Sequence, residues 1–199
     1  GPFGSGKSSG AVMEFPRRAR AQVPSPDGVR HTRWAVIRGT YRQLKDTTIA
    51  TLFQWMPPHL FGTYRIQDEI YHVEALDGCE CEILFRALDR PDHVDNLLSL
   101  ELTGAWVNEA REIHWPLIEA RQGRVGRWPP QRDGGPTWYG VWLDTNPPDS
   151  DSRWYKYFEE WLPSEEGQKA NDDFAAKYGR PLATIFKQPS GLSAEAENL

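Results

Sequence analysis

Gly1-Pro-Phe-Gly-Ser-Gly-Lys-Ser8 opens the chain and decides the fold that its sequence predicts. The segment fits the pattern G-x-x-x-x-G-K-[ST], in which glycines let the backbone curl so that N–H groups point at phosphate oxygens. Lys7 would place a positive charge beside the β- and γ-phosphates, and the Ser8 hydroxyl would ligate Mg²⁺. The segment therefore predicts a phosphate-binding P-loop, with contacts from Gly1, Gly4, Ser5, Gly6, Lys7, Ser8 and Ser9.

A second interpretation of this segment is a flexible Gly/Ser-rich end, or a tag remnant, that fits the pattern by chance. A P-loop normally follows a β-strand, and the chain has neither a strand before Gly1 nor an initiator Met. We therefore expect an internal piece of a longer protein that lacks its first strand. A helix-compatible run over residues 8–15 favours the P-loop, since its positive N-terminus would face the same anion. Pro16 is expected to kink or end that helix.

Composition indicates one folded α/β domain. The chain has 199 residues, nine of them Trp, and a net charge of −5, which excludes a simple basic nucleic-acid-binding domain. No apolar run reaches the roughly 18 residues that a membrane span needs. Cys79 and Cys81 have no second Cys/His pair nearby, so they predict reduced structural thiols rather than a zinc site.

Strand-like and helix-like segments alternate along the chain. Strands are predicted over 33–38, 102–107 and 138–143, the last two buried, and a hairpin over 69–88 turns at Asp77-Gly78. A helix is predicted from its cap at Thr40 to about Met56, with Pro57-Pro58 ending it. Weaker patterns predict helices over 91–98, 110–120 and 152–162 and a possible strand over 183–187. This alternation is typical of a mostly parallel, doubly wound sheet with helices on both faces.

A second motif, Leu102-Thr-Gly-Ala-Trp-Val-Asn-Glu109, is an apolar strand that ends in polar residues. Glu109 is placed to orient, or take a proton from, the water that attacks the γ-phosphate. Asn108 stands where an Asp is usual; its amide oxygen could hold a metal-bound water, leaving Mg²⁺ to Ser8, the phosphates and water. The alternative for Glu109 is an ordinary acid at a strand end that makes a helix N-cap contact.

A third motif, Thr145-Asn146-Pro147, follows the next predicted strand. Polar side chains at the carboxyl ends of strands line the crevice where open α/β sheets bind ligands. Thr145 and Asn146 could therefore bind the γ-phosphate or its water and report hydrolysis to the rest of the fold. The same stretch also predicts an Asx-Pro turn, and the two interpretations are compatible.

The order of these motifs resembles the ATPase domain of tailed-phage terminase large subunits, the viral DNA-packaging motors. The resemblance extends over about residues 1–160 and is carried by four segments: 1–8, 35–48, 102–111 and 144–148. It implies a P-loop NTPase of the additional-strand, RecA-like type, using ATP and Mg²⁺. Lys7 and Ser8 match the phosphate and metal residues, Glu109 the catalytic glutamate, and Thr145 and Asn146 the motif that couples hydrolysis to movement.

The resemblance also implies partners and a domain plan. The expected partners are double-stranded DNA, other copies of the chain in a homo-oligomeric ring, a portal protein and a small terminase subunit. The expected location is the host cytoplasm, with no membrane. Residues 1–165 would form the ATPase domain, and 166–199 its end or a linker toward a nuclease domain. Nothing after Asp149 supplies the acidic metal cluster of such a nuclease, so no nuclease activity is expected.

Arginines could serve the neighbouring subunit or DNA. Arg86 and Arg90 are the preferred candidates for an arginine that completes the site of the next subunit, with Arg38 a third; each could instead be a surface ion-pair residue. A Gly/Pro-rich loop over 122–135, with the adjoining Arg121, could grip the DNA backbone or be a solvated crossover. Its basic and aromatic residues are Arg121, Arg124, Arg127, Trp128 and Arg132, and a weaker patch comprises Arg17, Arg18 and Arg20.

Two other functions stay open at this point. The first is another P-loop ATPase, such as a host translocase of the helicase type, although helicase motifs are absent from the sequence. The second is a nucleotide-binding assembly module in which Asn108 marks the loss of hydrolysis.

Overall fold

The structure, a computed structural model, describes residues 6–89, 97, 99–117 and 124–187. The chain divides into two compact units, Gly6–Asp144 and a second that comprises Thr145–Leu199, described as far as Lys187. The domain boundary expected near residue 165 stays a prediction. None of the helices described is long and apolar enough to cross a membrane. Several predicted features lie outside the described residues: Gly1, Gly4, Ser5, Arg90, Arg121 and nearly all of the 91–98 helix.

The first unit contains a six-stranded mixed sheet. Its strands, in chain order, are β1 (Arg30–Arg38), β2 (Gly62–Arg65), β3 (Ile70–Val73), β4 (Cys79–Ala87), β5 (Gly104–Val107) and β6 (Gly140–Leu143). In space they follow the order β2-β3-β4-β1-β5-β6. The strands β4, β1, β5 and β6 are parallel, and β2 and β3 are antiparallel additions. The predicted α/β class with a mostly parallel sheet is confirmed.

The hairpin predicted over residues 69–88 is present as β3 and β4, with Val73 opposite Cys81 and Gly78 in a left-handed conformation at the turn. The sequence analysis missed β2. It also placed a buried strand at 138–143, which is wrong in two respects: the strand begins at Gly140, and it is half-buried because β6 is the last strand of the described sheet.

Two long helical segments pack on the sheet of the first unit. The first, α1, spans Lys7–Ala21, and the second, α2, runs from Tyr41–Gln43 through the π-helical turn Leu44–Ile49 to Ala50–Trp55. Thr40 caps α2 as predicted, because its hydroxyl accepts a hydrogen bond from the Gln43 N–H. Shorter helices are α3 (Pro58–Phe61) and the 3₁₀ turns Ala110–Glu112 and Gln131–Asp133.

Pro16 does not end α1, which continues to Ala21. The apolar face of the helix is continuous across the proline, with Val12, Phe15 and Ala19 completely buried. We infer that this packing offsets the backbone hydrogen bond that proline cannot make. The helix predicted over 110–120 is likewise not continuous over its described residues, 110–117: a 3₁₀ turn over Ala110–Glu112 and a helical turn at 115–117 are separated by two non-helical residues.

The core of the first unit lies on both faces of the sheet. On one face the Phe15 ring of α1 packs against three strands, with its centroid 5.8 Å from Trp34, 6.2 Å from Trp106 and 5.2 Å from Trp142. On the other face the buried strand residues include Ala35, Ile37, Leu84, Ala105 and Val107. Central parallel strands that are buried on both faces explain the unbroken apolar runs in the sequence.

Cys79 and Cys81 are buried free cysteines on the α1 face of β4. Burial raises the pKa of the Cys81 thiol to about 12, so it stays protonated and unreactive. No group of three or more His, Cys, Asp or Glu in the described part of the chain could hold a metal ion. Both thiols are part of the apolar core of the first unit.

The second unit contains two helical segments. The first, α4, comprises Arg153–Tyr155 and the π-helical Lys156–Trp161, as predicted for 152–162; the second, α5, spans Glu165–Tyr178. Ser164 caps α5 by accepting the Gly167 N–H. The strand predicted over 183–187 is wrong: the segment has no regular structure, and the Ala183 N–H donates to the Asn171 side chain of α5 instead of to a neighbouring strand.

Candidate functional site

The register of three parallel strands brings three polar side chains together. Val107 of β5 pairs with Ile37 of β1 and with Leu143 of β6. One residue further on, Arg38, Asn108 and Asp144 therefore lie side by side at the carboxyl ends of their strands. They lie on the face that carries Trp34, Trp106 and Trp142, because side chains two residues apart in a strand point the same way. This is the face on which α1 packs, so the cluster meets the N-terminus of that helix.

Asp144 is the centre of the cluster. Its carboxylate is about nine-tenths buried and accepts hydrogen bonds from four residues. The Asn108 amide nitrogen lies 3.0 and 2.9 Å from its two oxygens, and the Glu109 N–H lies 3.0 Å from Oδ1. The Ser8 hydroxyl of α1 lies 3.3 Å from Oδ2, and Trp106 Nε1 lies 3.3 Å from Oδ1. Burial raises the pKa of Asp144 above its ordinary value, while these donors act in the opposite direction.

Asn108 connects Asp144 to the opposite side of the site. Its amide oxygen accepts a hydrogen bond from Arg38 Nη1 at 3.0 Å and another from the Thr48 hydroxyl of α2 at 2.8 Å. Two donors on the oxygen fix the orientation of the amide, so its NH₂ group must face Asp144. The oxygen that the sequence analysis offered to a metal-bound water is thus engaged by Arg38 and Thr48. Its predicted metal role remains untested.

Glu109 is held in an unusual backbone conformation. It has φ 50° and ψ 56°, a left-handed conformation that costs energy for a residue with a side chain. It precedes the Ala110–Glu112 turn, but its side chain makes no cap hydrogen bond. The alternative of an N-cap contact for Glu109 therefore has no support here, and its backbone N–H is fixed on Asp144.

The described part of the predicted P-loop leads directly into a helix, as expected. Gly6 has φ 71°, a value that favours glycine, and α1 begins at Lys7. Ser8 lies in the first turn and contacts Asp144, and the Ser9 hydroxyl accepts a hydrogen bond from Trp55 Nε1 at 3.0 Å. Both serines are thereby tied to neighbouring elements. The phosphate contacts predicted for Gly6, Lys7, Ser8 and Ser9 stay predictions.

Thr145 and Asn146 follow Asp144 directly and belong to the second unit. The Thr145 hydroxyl donates to the Asn146 carbonyl oxygen at 3.0 Å, which fits the turn predicted for this stretch. The coupling role of the two residues stays a prediction.

The candidate arginines occupy different environments. Arg38 is 7% exposed, and its guanidinium is bound within its own chain to Asn108 and, at 3.5 Å, to Glu112. Arg86 pairs with Ile37 and therefore lies on the opposite face of the sheet. Its Nη1 donates to the carbonyl oxygens of Phe85 at 2.6 Å and Asp68 at 3.4 Å, and burial lowers its pKa. A role for Arg86 in a neighbouring subunit stays a prediction.

The residues at the N-terminus of α1 could bind a magnesium ion. The Ser8 hydroxyl donates a hydrogen bond to Asp144, and the lone pairs of the Ser8 oxygen are therefore available to a cation. Mg²⁺ prefers oxygen ligands and is usually bound by one or two protein oxygens together with phosphates and water. The bound ion would neutralise charge on the phosphates.

Comparison with solved structures finds the same fold in a phage protein. The large terminase of a thermophilic bacteriophage matches with a TM-score of 0.63 and 12% identity, over 83% of this chain and 37% of that chain. The same protein in complex with ATP-γ-S matches with a TM-score of 0.59 and 13% identity, over 84% and 36%. This chain has the fold of a large terminase. It spans little more than a third of the length of those chains, and no family profile or curated protein matches its sequence.

The fold that the resemblance implied is therefore confirmed by comparison of structures, at a sequence identity of 12%. The large terminase of that bacteriophage has also been solved in complex with ADP.

Two residues of the site were missed in the sequence analysis. Asp144 was treated only as the residue before Thr145, although an acid at the carboxyl end of a strand beside a P-loop is itself a signal for a metal site. Thr48 lies within the helix predicted from Thr40 to about Met56, and nothing in its spacing indicated that its hydroxyl would reach Asn108.

Proposed function

We propose that this chain is an ATP-hydrolysing motor domain of the large-terminase type, which powers movement of double-stranded DNA into a viral procapsid. The observation that carries the proposal is the hydrogen bond between Ser8 and Asp144, together with the Glu109 N–H on the same carboxylate. It joins the first turn after the phosphate-binding sequence to the residue expected to act on the attacking water. A phosphate cradle, an acid and a metal-binding hydroxyl within one site are the parts that nucleoside triphosphate hydrolysis requires.

Each residue of the site would have its own part in hydrolysis. Lys7 and the N-terminus of α1 would attract the phosphates, and Ser8 would offer its hydroxyl oxygen to Mg²⁺. Glu109 would orient the water and accept its proton. The left-handed backbone at Glu109 and its hydrogen bond to Asp144 would hold that side chain at a fixed place relative to Ser8.

The first test is Glu109→Gln, which keeps the size of the side chain and removes its basicity. We expect steady-state ATP turnover to fall about 100-fold or more, since general bases contribute at least that much, while ATP affinity stays near that of the wild type. Glu101→Gln is the matched control, because Glu101 is exposed just before β5. It should hydrolyse ATP at the wild-type rate.

The assay should be run against protein concentration, with and without DNA, because an arginine from a neighbouring subunit would make isolated chains slow. A wild-type chain that binds ATP but never hydrolyses it, at high concentration and with DNA, would contradict the motor and favour the nucleotide-dependent assembly module. Equal turnover by wild type and Glu109→Gln would remove Glu109 from the mechanism.

The partners of the motor belong to the same proposal. A ring of copies around double-stranded DNA, docked on a portal protein and served by a small terminase subunit in the host cytoplasm, is what a large-terminase motor would require. Arg86 and Arg90 are the proposed arginines for the neighbouring site, and Thr145 and Asn146 the proposed coupling residues. Arg124, Arg127 and Arg132 of the 122–135 loop are the proposed DNA contact.

A further inference from the structure

The acid that touches the P-loop serine comes from an unexpected strand. Asn108 on β5 has no carboxylate, and both ends of its amide are bound: the oxygen to Arg38 and Thr48, the nitrogen to Asp144. Asp144 at the end of β6 accepts the Ser8 hydroxyl directly. The register places Asn108 and Asp144 side by side, so β6 carries a carboxylate next to the position on β5 where an Asp is usual.

We propose that Asp144 is the carboxylate that holds Ser8 for the Mg²⁺–nucleotide complex, and that Asn108 is the residue that positions Asp144. This inference rests on the proposed ATPase function and names the metal-site acid that the function requires.

The chemistry of the contacts supports this assignment. The Ser8 hydroxyl donates a hydrogen bond to Asp144. A hydrogen bond to a carboxylate orients the hydroxyl and increases the negative charge on the Ser8 oxygen. The Asn108 NH₂ group lies within 3.0 Å of both Asp144 oxygens, and the Glu109 N–H and Trp106 Nε1 complete the set of donors. A buried carboxylate without such donors would be costly. The donors therefore keep the Asp144 carboxylate facing Ser8.

The test compares nucleotide binding with and without Mg²⁺ in the full chain. The probe is a fluorescent ATP analogue, and the quantity measured is its gain in affinity on changing from EDTA to excess Mg²⁺. We expect Asp144→Asn to reduce this gain about tenfold or more, since it removes the charge from a buried hydrogen bond to Ser8. Asp46→Asn, at an exposed position on α2, is the control and should keep the wild-type gain.

The outcomes separate this inference from the proposed function. If the wild type shows a gain with Mg²⁺ and Asp144→Asn shows the same gain, the assignment of Asp144 is wrong and the ATPase proposal stands. If neither wild type nor Asp46→Asn binds the analogue at all, the proposed function fails and takes this inference with it. Thermal melting of each variant shows whether it is folded.

A second variant, Asn108→Asp, tests the pairing while leaving Asp144 intact. It would place two carboxylates about 3 Å apart, where their repulsion is large in a buried site. In EDTA the melting temperature should fall by several degrees, and the double variant Asn108→Asp/Asp144→Asn should recover most of that loss because one acid again faces one amide. An unchanged melting temperature for Asn108→Asp would overturn the positioning role of Asn108.

Discussion

At the scale of single residues, Asn108 does what an aspartate could not do in this site. An amide carries both an acceptor and a donor, whereas an ionised carboxylate only accepts. Asn108 accepts from Arg38 and Thr48 on one side and donates to Asp144 on the other. The residue that departs from the usual motif therefore forms the link between α2, β1 and β6. Its buried position makes each of these hydrogen bonds costly to lose.

Thr48→Val should show the cost of losing one such bond. The substitution removes a hydroxyl that donates to Asn108 Oδ1 at 2.8 Å in the interior, and keeps the β-branched shape. We expect the free energy of unfolding to fall by about 1 kcal/mol, less than the full loss of an acceptor because Arg38 still donates to the same oxygen. Urea unfolding followed by tryptophan fluorescence measures it.

The adjacent Thr47→Val is the matched control. The Thr47 hydroxyl is exposed and donates to the Gln43 carbonyl oxygen of its own helix at 2.7 Å, with a longer contact of 3.5 Å to the Thr48 hydroxyl. Its loss should change the free energy of unfolding by no more than about 0.5 kcal/mol. Equal effects at the two threonines would show that the Asn108 contact contributes nothing to stability.

At the scale of secondary-structure elements, glycines at the start of β5 and β6 make room for two tryptophan rings on the sheet. Gly104 of β5 and Gly140 of β6 pair directly, and the Trp34 and Trp138 rings lie over them. A Cβ at Gly104 would lie 2.6 Å from the Gly140 carbonyl oxygen and 2.7 Å from the Trp34 ring. The glycines thus leave room for aromatic rings, and these rings contact α1, Trp34 through Phe15 and Trp138 through Arg18.

Gly104→Ala should therefore destabilise the first unit by about 1–3 kcal/mol, the usual cost of overpacking a core.

Gly10→Ala is the opposite case within α1: Gly10 is exposed, and nothing lies within 4 Å of the added methyl group. It should raise the free energy of unfolding by about 0.5–1 kcal/mol, because alanine loses less backbone entropy in a helix. Chemical denaturation measures the free energy of unfolding of both variants. A loss of stability in Gly10→Ala would contradict the exposed helical position of Gly10.

At the scale of the whole molecule, a net charge of −5 requires that any contact with DNA be local. In the 124–135 loop the exposed cations are Arg127 and Arg132, and Arg132 pairs with Asp133 at 3.7 Å. Trp128 of this loop is fixed by the Arg33 guanidinium, which lies 3.6 Å from the ring centroid, whereas the side chain of Arg127 is exposed. The weaker patch on α1 is partly neutralised, since Arg17 and Arg18 both pair with Glu14.

Neutralising Arg124 and Arg127 together, as Arg124→Gln/Arg127→Gln, should weaken binding to double-stranded DNA. If each arginine contacts one phosphate, the slope of log K against log salt concentration should become shallower by about 2. Arg42→Gln/Lys45→Gln on the exposed side of α2 changes the net charge equally and should leave that slope unchanged. Fluorescence anisotropy over a salt series measures both. Unchanged affinity at every salt concentration would remove the loop from the DNA contact.

Much of the fold and part of the site follow from local patterns in the sequence. The P-loop pattern, the apolar strand runs, the Asp77-Gly78 turn and the Thr40 cap each depend on residues close together in the chain, and the structure has the corresponding helix, strands, hairpin and cap. The prediction for Glu109 has the same basis, because Asn108 and Glu109 follow a buried strand, and its role stays a prediction. Pro16 was misjudged since its local effect was outweighed by packing of the α1 face on the sheet.

The sequence by itself determined the α/β class, the phosphate-binding pattern and the acidic and polar residues at two strand ends. Only the tertiary structure decided that Asp144 meets Ser8 and that Asn108 joins Asp144 to Arg38 and Thr48. The physical reason is distance along the chain, since Ser8 and Asp144 are 136 residues apart. The register of β1, β5 and β6 places Arg38, Asn108 and Asp144 side by side. Local periodicity carries no information about that register, which packing of the whole sheet sets.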